Sequence, residues 1–373
     1  MLDVVVTGVG LVTPQGCTPG AVLERLRRRD SAVRPAPFAP PICCPVFAPV
    51  IGFDPAEQFP DNKNLRLMNR DAHLAVVAAR QAMHDAGLST DRPYPPEEIA
   101  LMGSTGLSGL PVEDIVRLVE NAAAPDGSLD LKRFGQAALR RIRPVLSFKI
   151  LANMPICFVS IFEDICGPNA VYTPWQGQGA QALAAGICAV AGGEVPCALV
   201  GGCDVKTHAL SVISLQQLGV LDSWRRHGSG PVPGEGAAFL VLEERRQAIR
   251  RGARILARLA AQAFGSTAPD MPLDETLHEV LRPIAPARPG LLIGAGDGDV
   301  SVAEAERQAI GRLNLGNIEA LYPRAFLGDL FAAAPAVQVA LAAEAARTNQ
   351  TGQVQAHCFG YGSEQAAFVL EAA

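Results

Sequence analysis

The chain has 373 residues, 49% of them apolar and only 5% aromatic, with a net charge of −5 at neutral pH. That much small apolar material builds a large core, enough for two or three domains, and excludes a disordered or fibrous chain. Acidic and basic residues are interspersed, and the short basic clusters Arg27–Arg29, Arg140–Arg143 and Arg225–His227 read as solvated faces, so no nucleic-acid footprint is present.

The opening MLDVVVTGVG has no basic leader and enters a buried strand at Val4–Gly10, which argues against a secretory signal and for a cytoplasmic protein. A Thr-Pro-Gln-Gly turn and a helix around Gly20–Arg29 follow, and the proline-rich stretch 31–62 predicts an irregular surface excursion. Apolar residues at 72, 74, 76, 77, 78 and 82 predict a helix over Asn69–Ala86 that stops at Gly87. Ile99–Gly106 reads as a strand, and 107–165 as an inserted set of helices and loops. Gly167–Leu183, GPNAVYTPWQGQGAQAL, reads as a short strand, a tight turn and the start of a small-residue helix over Gln178–Ala191. The longest apolar stretch, Ala180 to Gly201, is broken by Glu194 and Pro196, so it predicts a buried helix and strand (CALVGGCDV) and no membrane span. AAFLVLEE then reads as a strand running into a helix over Arg245–Gly252.

From Ile255 the pattern repeats: a strand, a helix over Leu273–Leu281, the strand LLIGAGDGD, a helix over Val302–Leu313, and two terminal strands around Ala356–Leu370. Alternating strands and helices predict an α/β fold with largely parallel, doubly covered sheets. Two halves are expected, 1–252 and 253–373, related by an internal pseudo-repeat. None of the nine cysteines forms a CxxC pair and no Cys/His spacing matches a zinc site, so reduced thiols are expected. Asp297 and Asp299 stand two apart in a glycine loop and read as turn formers, not metal ligands. GVGLVTPQG lacks the GxGxxG spacing of dinucleotide sites. No cofactor and no metal are expected.

Strand-turn-helix elbows often present a nucleophile at the helix N-terminus, where free backbone N–H groups stabilise negative charge. The elbow residue here is Gln176, which has nothing to attack with. The stretch resembles the active-site segment of β-ketoacyl-ACP synthases of the thiolase fold, in which GPN, a strand and a Thr-Ala-Cys-Ala-type turn lead into the helix. Five further segments resemble the same family in the same order. They are VVVTGVGLVTPQG, LMNRDAHLAVVAARQAMHDAGL, LVGGCDV, GPVPGEGAAFLVLEERRQAIRRGARILARL and FGYGSEQAAFVLE. The likeness covers nearly the whole chain and implies a five-layered α-β-α-β-α arrangement.

The family's chemistry uses a Cys to take the acyl chain and two His residues to stabilise the charge released by malonyl decarboxylation. In register, Gln176 stands at the Cys. Ala295, in Ala295-Gly-Asp-Gly-Asp299, stands at the first His, and Asp329, in Gly328-Asp-Leu-Phe-Ala-Ala-Ala-Pro335, at the second. The family's Lys just upstream is absent; Arg324 is nearby without a convincing alignment. All six histidines fall outside these motifs, and His357 is either close to the pocket or a satisfied structural residue.

This pattern resembles a chain-length factor, the inactive partner of an active ketosynthase. Losing both His residues, together with the short RRHGSGP region, resembles those of aryl polyene clusters most. The resemblance implies a heterodimer, indirect contact with acyl carrier protein, and an interface over Val159–Thr173. Leu146, Phe148, Met154, Phe158, Tyr172 and Phe359 are candidates for the interface or the partner's acyl tunnel, with ordinary core as the other reading. Two alternatives are a malonyl-ACP decarboxylase of the Gln-for-Cys type, which keeps both His residues, and a scaffold that holds acyl-ACP.

Overall fold

Ten strands form one mixed sheet in a computed structural model that describes residues 2–373 except 39–40, 60–62, 91, 108–111, 139, 141–145, 269, 297–299, 316–317 and 349–351. In chain order the strands are β1 Val4–Val12, β2 Ile99–Thr105, β3 Asn169–Tyr172, β4 Cys197–Val205, β5 Glu235–Glu244, β6 Ala257–Ser266, β7 Leu291–Ile293, β8 Glu319–Leu321, β9 Gln353–Cys358 and β10 Glu364–Glu371. The first five lie in the order β1-β5-β4-β2-β3 and the second five in the order β6-β10-β9-β7-β8. Each half pairs its first three neighbours antiparallel and the rest parallel. Order and sense therefore repeat strand for strand. The halves meet where β1 pairs β6 through Val5–Arg258 and Val6–Ala257.

Six helices make the layers: α1 Arg70–Asp85, α2 Met154–Glu163, α3 Gln176–Ala191, α4 Leu273–Leu281, α5 Val300–Arg312 and α6 Ala334–Thr348. Helices α1 and α2 cover the outer face of the first half, where Leu74, Met83, Ile156 and Phe158 pack on Leu101, Leu199 and Phe239. Helices α4 and α5 cover the outer face of the second half, around Leu277, Val302, Phe359 and Val369. Between the halves lie α3 and α6, whose Ala180, Leu183, Val190, Ala340 and Leu341 share one core with strands of both. This is the five-layered arrangement the sequence resemblance implies.

Local choices agree with these positions. Asn69 caps α1, its side chain accepting from the N–H of Ala72 at 3.0 Å. The insertion between β2 and β3 carries Val112–Ala122, Leu146–Ile150 and α2, as expected from 107–165. Among its described residues, stretch 31–62 holds a two-residue strand pair and a four-residue helix. Helix α6 and strand β8 were not anticipated: α6 is apolar on every side, so it shows no helical stripe, and β8 is three residues long. No helix among the described residues is long and apolar enough to cross a membrane.

The glycines of β1 set how closely α1 approaches it. A Cβ on Gly10 would collide with the carbonyl of Ala78, and one on Gly8 with that of Ala82. Gly10→Ala is expected to lower the stability by about 1–3 kcal/mol, through overpacking. Gly311→Ala in α5, where a Cβ meets nothing, is expected to raise it by about 0.5–1 kcal/mol. Urea denaturation of the two variants beside the parent checks both signs.

Candidate active site and the elbow

Three separated stretches converge at the elbow. Tyr172 ends β3, Pro174 and Trp175 turn the chain, and Gln176 opens α3. The amide N–H of Trp175 is held by the Gln178 side-chain oxygen at 3.2 Å, which fixes the turn. Gln176 is 1% exposed. Its Nε2 donates to Asp329 Oδ1 at 2.9 Å and Oδ2 at 3.2 Å. Its Oε1 accepts from the backbone N–H of Tyr361 at 3.3 Å.

Asp329 is fully buried and also accepts from the N–H of Phe331 at 2.9 Å. Arg324, five residues upstream, brings Nε to 3.4 Å from Asp329 Oδ2 and donates from Nη2 to the carbonyl of Phe359 at 2.9 Å. Geometry thus brings Arg324 to Asp329, a contact that its sequence spacing alone left open. One polar chain runs from Arg324, through an ion pair to Asp329, and by hydrogen bonds on to Gln176 and Tyr361. Gly360 completes it, since a Cβ there would occupy the space of the Gln176 side chain.

Ala295 is not part of that chain. It is buried in the second half's outer core beside Phe359, and its N–H donates to Glu306 Oε1 at 3.1 Å. Glu306 also accepts from the N–H of Gly296 at 2.5 Å and faces His357 Nδ1 at 2.6 Å, while His357 Nε2 meets Gln355 Oε1 at 3.2 Å. Both ring nitrogens of His357 are therefore occupied, which makes it a satisfied structural histidine. Asp297 and Asp299 lie outside the described residues, and among those described no group of three or more His, Cys, Asp or Glu is placed to hold a metal ion.

The remaining candidates separate by environment. Phe158 and Phe359 are buried inside this chain, Phe158 against α1 and Phe359 in the second half's outer core. Leu146 is buried, Met154 and Tyr172 are half-buried, and Phe148 is 43% exposed. Strand β3 is a sheet edge, bonded to β2 alone.

Sequence reasoning missed a second buried polar cluster below Phe331. Lys206 is ion-paired with Asp204 and lies 5.8 Å from the Phe331 ring centroid. Asp204 Oδ2 accepts from the N–H of Ala332 at 3.2 Å. Glu235 takes two bonds from Arg70, at 2.6 and 2.9 Å, and one from Thr207 at 2.6 Å. Asp71, at the start of α1, faces Asp204 and Lys206 from the end of β4 and Glu235 from the start of β5. Burial, reinforced by the Asp204 charge, pushes its carboxyl up to about 7, and its Oδ2 has no partner among the described residues. The signal was available: Asp71, Asp204, Lys206 and Glu235 are charges inside apolar strand and helix patterns.

The fold defined by these layers is that of the thiolase class. Residues 1–248 match the family model "Beta-ketoacyl synthase, N-terminal domain", so the chain belongs to the β-ketoacyl synthase family. It is 28% identical over 275 residues to 3-oxoacyl-[acyl-carrier-protein] synthase 2 of Synechocystis sp., covering 70% of this chain and 62% of that one. It is 27% identical over 285 residues to the synthase of the same name from Coxiella burnetii, covering 72% of this chain and 65% of that one. In both, the chain spans less than two thirds of the relative's own length. The synthase 2 of Rhizobium meliloti is 27% identical over 389 residues, covering 94% and 87%. Among solved structures, the ishigamide ketosynthase/chain length factor superposes with a TM-score of 0.81 at 21% identity, over 100% of this chain and 99% of that one. A type II ketosynthase in complex with its acyl-carrier protein gives 0.77 at 19%, over 100% of both. At these identities the superpositions speak to the fold.

Two stability experiments test the buried charges. Arg324→Met leaves Asp329 buried without its cation and is expected to cost about 3–5 kcal/mol. Adding Asp329→Asn to it should recover part of that loss in urea denaturation. For Asp71, whose folded pKa of about 7 lies above the ordinary carboxylate value, the folded state binds the proton more tightly than the unfolded chain. Its stabilising contribution is complete below about pH 4 and is lost as pH rises through about 7, so Asp71→Asn should match the parent at pH 4. At pH 8 the variant should exceed it by up to roughly 4 kcal/mol.

Proposed function

We propose that this chain is a non-catalytic chain-length-factor subunit: it pairs with an active β-ketoacyl-ACP synthase and shapes that partner's acyl tunnel in polyene or polyketide biosynthesis. The observation that supports this reading is the closed pair of Gln176 and Asp329, two residues that the sequence resemblance sets in register with the family's nucleophile and one catalytic His. An amide has no nucleophilic lone pair of use at neutral pH, and its N–H groups are already donated to Asp329. A buried carboxylate at 329 repels the malonyl carboxylate and does not stabilise the charge that decarboxylation releases. Ala295 offers only a methyl group where the other His would donate. The decarboxylase alternative needs both of those His residues, so the same positions argue against it.

The surface supports a partner. Val112, Val116 and Val119 follow one face of the helix Val112–Ala122 and are 42%, 39% and 56% exposed. Phe148, Ile150, Leu151 and Ile161 are also exposed in the same insertion, which precedes the edge strand β3. Such a concentration of bare apolar side chains marks an interface, and an open strand edge invites pairing across a two-fold axis. Phe148, 43% exposed, is the first candidate to enter the partner's tunnel, and Leu146 and Met154 are the next. Acyl carrier protein enters the system through the ketosynthase, so its contact with this chain is indirect.

Co-expression with an active β-ketoacyl-ACP synthase from the same source, followed by native mass spectrometry, tests the pairing. A 1:1 heterodimer is the expected result, with no condensing activity once the partner's own cysteine is replaced. A stable homodimer that ignores the ketosynthase would overturn the proposal. Within the heterodimer, Phe148→Ala is expected to change product length while the complex mass persists. Unchanged product length would remove Phe148 from the tunnel.

A further inference from the structure

At the ends of α1 and α2, on the outer side of the first half, lies an open cavity of about 540 Å3. It is remote from the elbow. Asp71, in the first turn of α1, faces the polar cluster below Phe331, whereas Arg80 and His84, toward the other end of the helix, line this cavity. Helical rise puts residues 71 and 84 roughly 20 Å apart along the axis.

Two guanidinium groups stand in the wall, each held in place by other contacts. Arg80 lies over the rings of Phe59 and Phe162, 5.5 and 5.7 Å from their centroids, and its Nε is 3.3 Å from Glu163 Oε1. Arg92 donates from Nε to the carbonyl of Leu88 at 2.8 Å. From Nη1 it donates to the carbonyls of Glu163 and Asp164, at 2.6 and 3.3 Å. These bonds leave both terminal nitrogens of Arg80, and Nη2 of Arg92, without a partner among the described residues.

The charges do not balance. Every bond of Arg92 goes to an uncharged carbonyl, and Glu163, 5% exposed, is the one carboxylate in the described wall. Glu163 faces both guanidinium groups, so one anion serves two cations and a positive charge is left over. His84 and Ser89 add an imidazole and a hydroxyl, both exposed and both without a side-chain partner among the described residues. Val77 and Phe162 supply apolar surface beside them.

We infer that this cavity binds a small phosphate monoester, its oxygens held by Arg80, Arg92 and Ser89 and its ester group laid against Phe162 and Val77. The surplus positive charge selects an anion. The donors select phosphate over carboxylate: two guanidinium forks and a hydroxyl offer more N–H and O–H groups than two carboxylate oxygens can accept, and each fork matches a phosphate edge. Both forks are fixed beforehand, Arg80 by two rings and a carboxylate and Arg92 by three carbonyls, so binding has little left to order. No residue of the elbow takes part, so the site goes beyond the chain-length reading and stands without it.

The test is calorimetric titration of the full chain, alone or in its heterodimer, with phenyl phosphate, inorganic phosphate and benzoate. Phenyl phosphate is expected to saturate one site, with inorganic phosphate and benzoate each about fivefold weaker or more. Ser89→Asp puts a carboxylate into the cavity at an exposed position, and it should weaken phenyl phosphate by about tenfold or more. Arg92→Gln should do the same. Because Arg92 also ties the two helix ends together, Ser89→Asp keeps the test decisive if Arg92→Gln fails to fold. Added sodium chloride should weaken the binding, since it screens exposed charges. Absence of saturation, or parental affinity in Ser89→Asp, would overturn the inference. Equal affinity for inorganic phosphate would assign the cavity to the free ion and overturn the monoester, and equal affinity for benzoate would overturn the choice of phosphate. Native mass spectrometry of the same samples keeps the two proposals apart. A chain that binds phenyl phosphate without pairing sinks the chain-length reading alone, and one that pairs without binding sinks the phosphate site alone.

Discussion

Everything in this molecule is arranged around the close packing of two helices between two half-sheets. Helices α3 and α6 are buried along most of their length, so each must fit against strands from both halves at once. That geometry tolerates little volume. A Cβ on Gly177 would meet the carbonyl of Glu364, one on Gly179 the carbonyl of Ala332, and one on Gly186 the side chain of Val200. The glycine- and alanine-rich composition is the consequence: QGQGAQALAAGICAVA and APAVQVALAAEAART are what a doubly buried helix layer admits. The same packing buries the first residue of α3, Gln176.

A side chain at that point has no access to water, so its polar groups must find partners in the protein. Gln176 does so completely, with two bonds to Asp329 and one from Tyr361. Asp329 in turn requires a cation, and Arg324 supplies it while also holding the carbonyl of Phe359. The turn after β9 is thereby tied to the elbow before α3. Breaking one member leaves the others buried and unmatched, which is why such chains are all or nothing. The Glu306–His357 pair performs the equivalent service in the second half, anchoring the start of the loop after Ala295. The polar residues at these sites serve the fold, each held by another member of the same chain.

Much of this was legible in the sequence, and the rest was hidden for identifiable reasons. Helix α1 announced itself through its apolar stripe, its Asn69 cap and the stop at Gly87; β4 and β10 announced themselves as continuous apolar runs. Helix α6 escaped because full burial erases the polar face that periodicity needs. Strand β8 escaped because three residues carry no pattern. At the site, motif register located Gln176 and Asp329, yet only coordinates reveal that they bond to each other. Arg324 was visible as a nearby cation, but whether it reaches residue 329 depends on the turn at Gly328, whose φ of 73° is glycine's territory. The cavity between Arg80 and Arg92 was invisible, since Arg80, Ser89, Arg92 and Glu163 meet only where the ends of α1 and α2 come together.

The two halves share strand order and sense, so differences between them isolate what the repeat itself does not require. Between β7 and β8 the second half needs only α5 and short connections; between β2 and β3 the first half carries more than sixty residues. Those residues hold most of the large apolar side chains that the chain leaves exposed, from Leu107 to Ile161. A single chain gains nothing by exposing them, and each costs solubility. The matching edge of the second half, β8, opens instead with Glu319, which reaches Arg27 at 3.8 Å, a charged edge of the kind that discourages pairing. One sheet edge is therefore guarded and the other left open and apolar. That asymmetry, imposed on a symmetric core, is the physical argument behind the pairing proposed above.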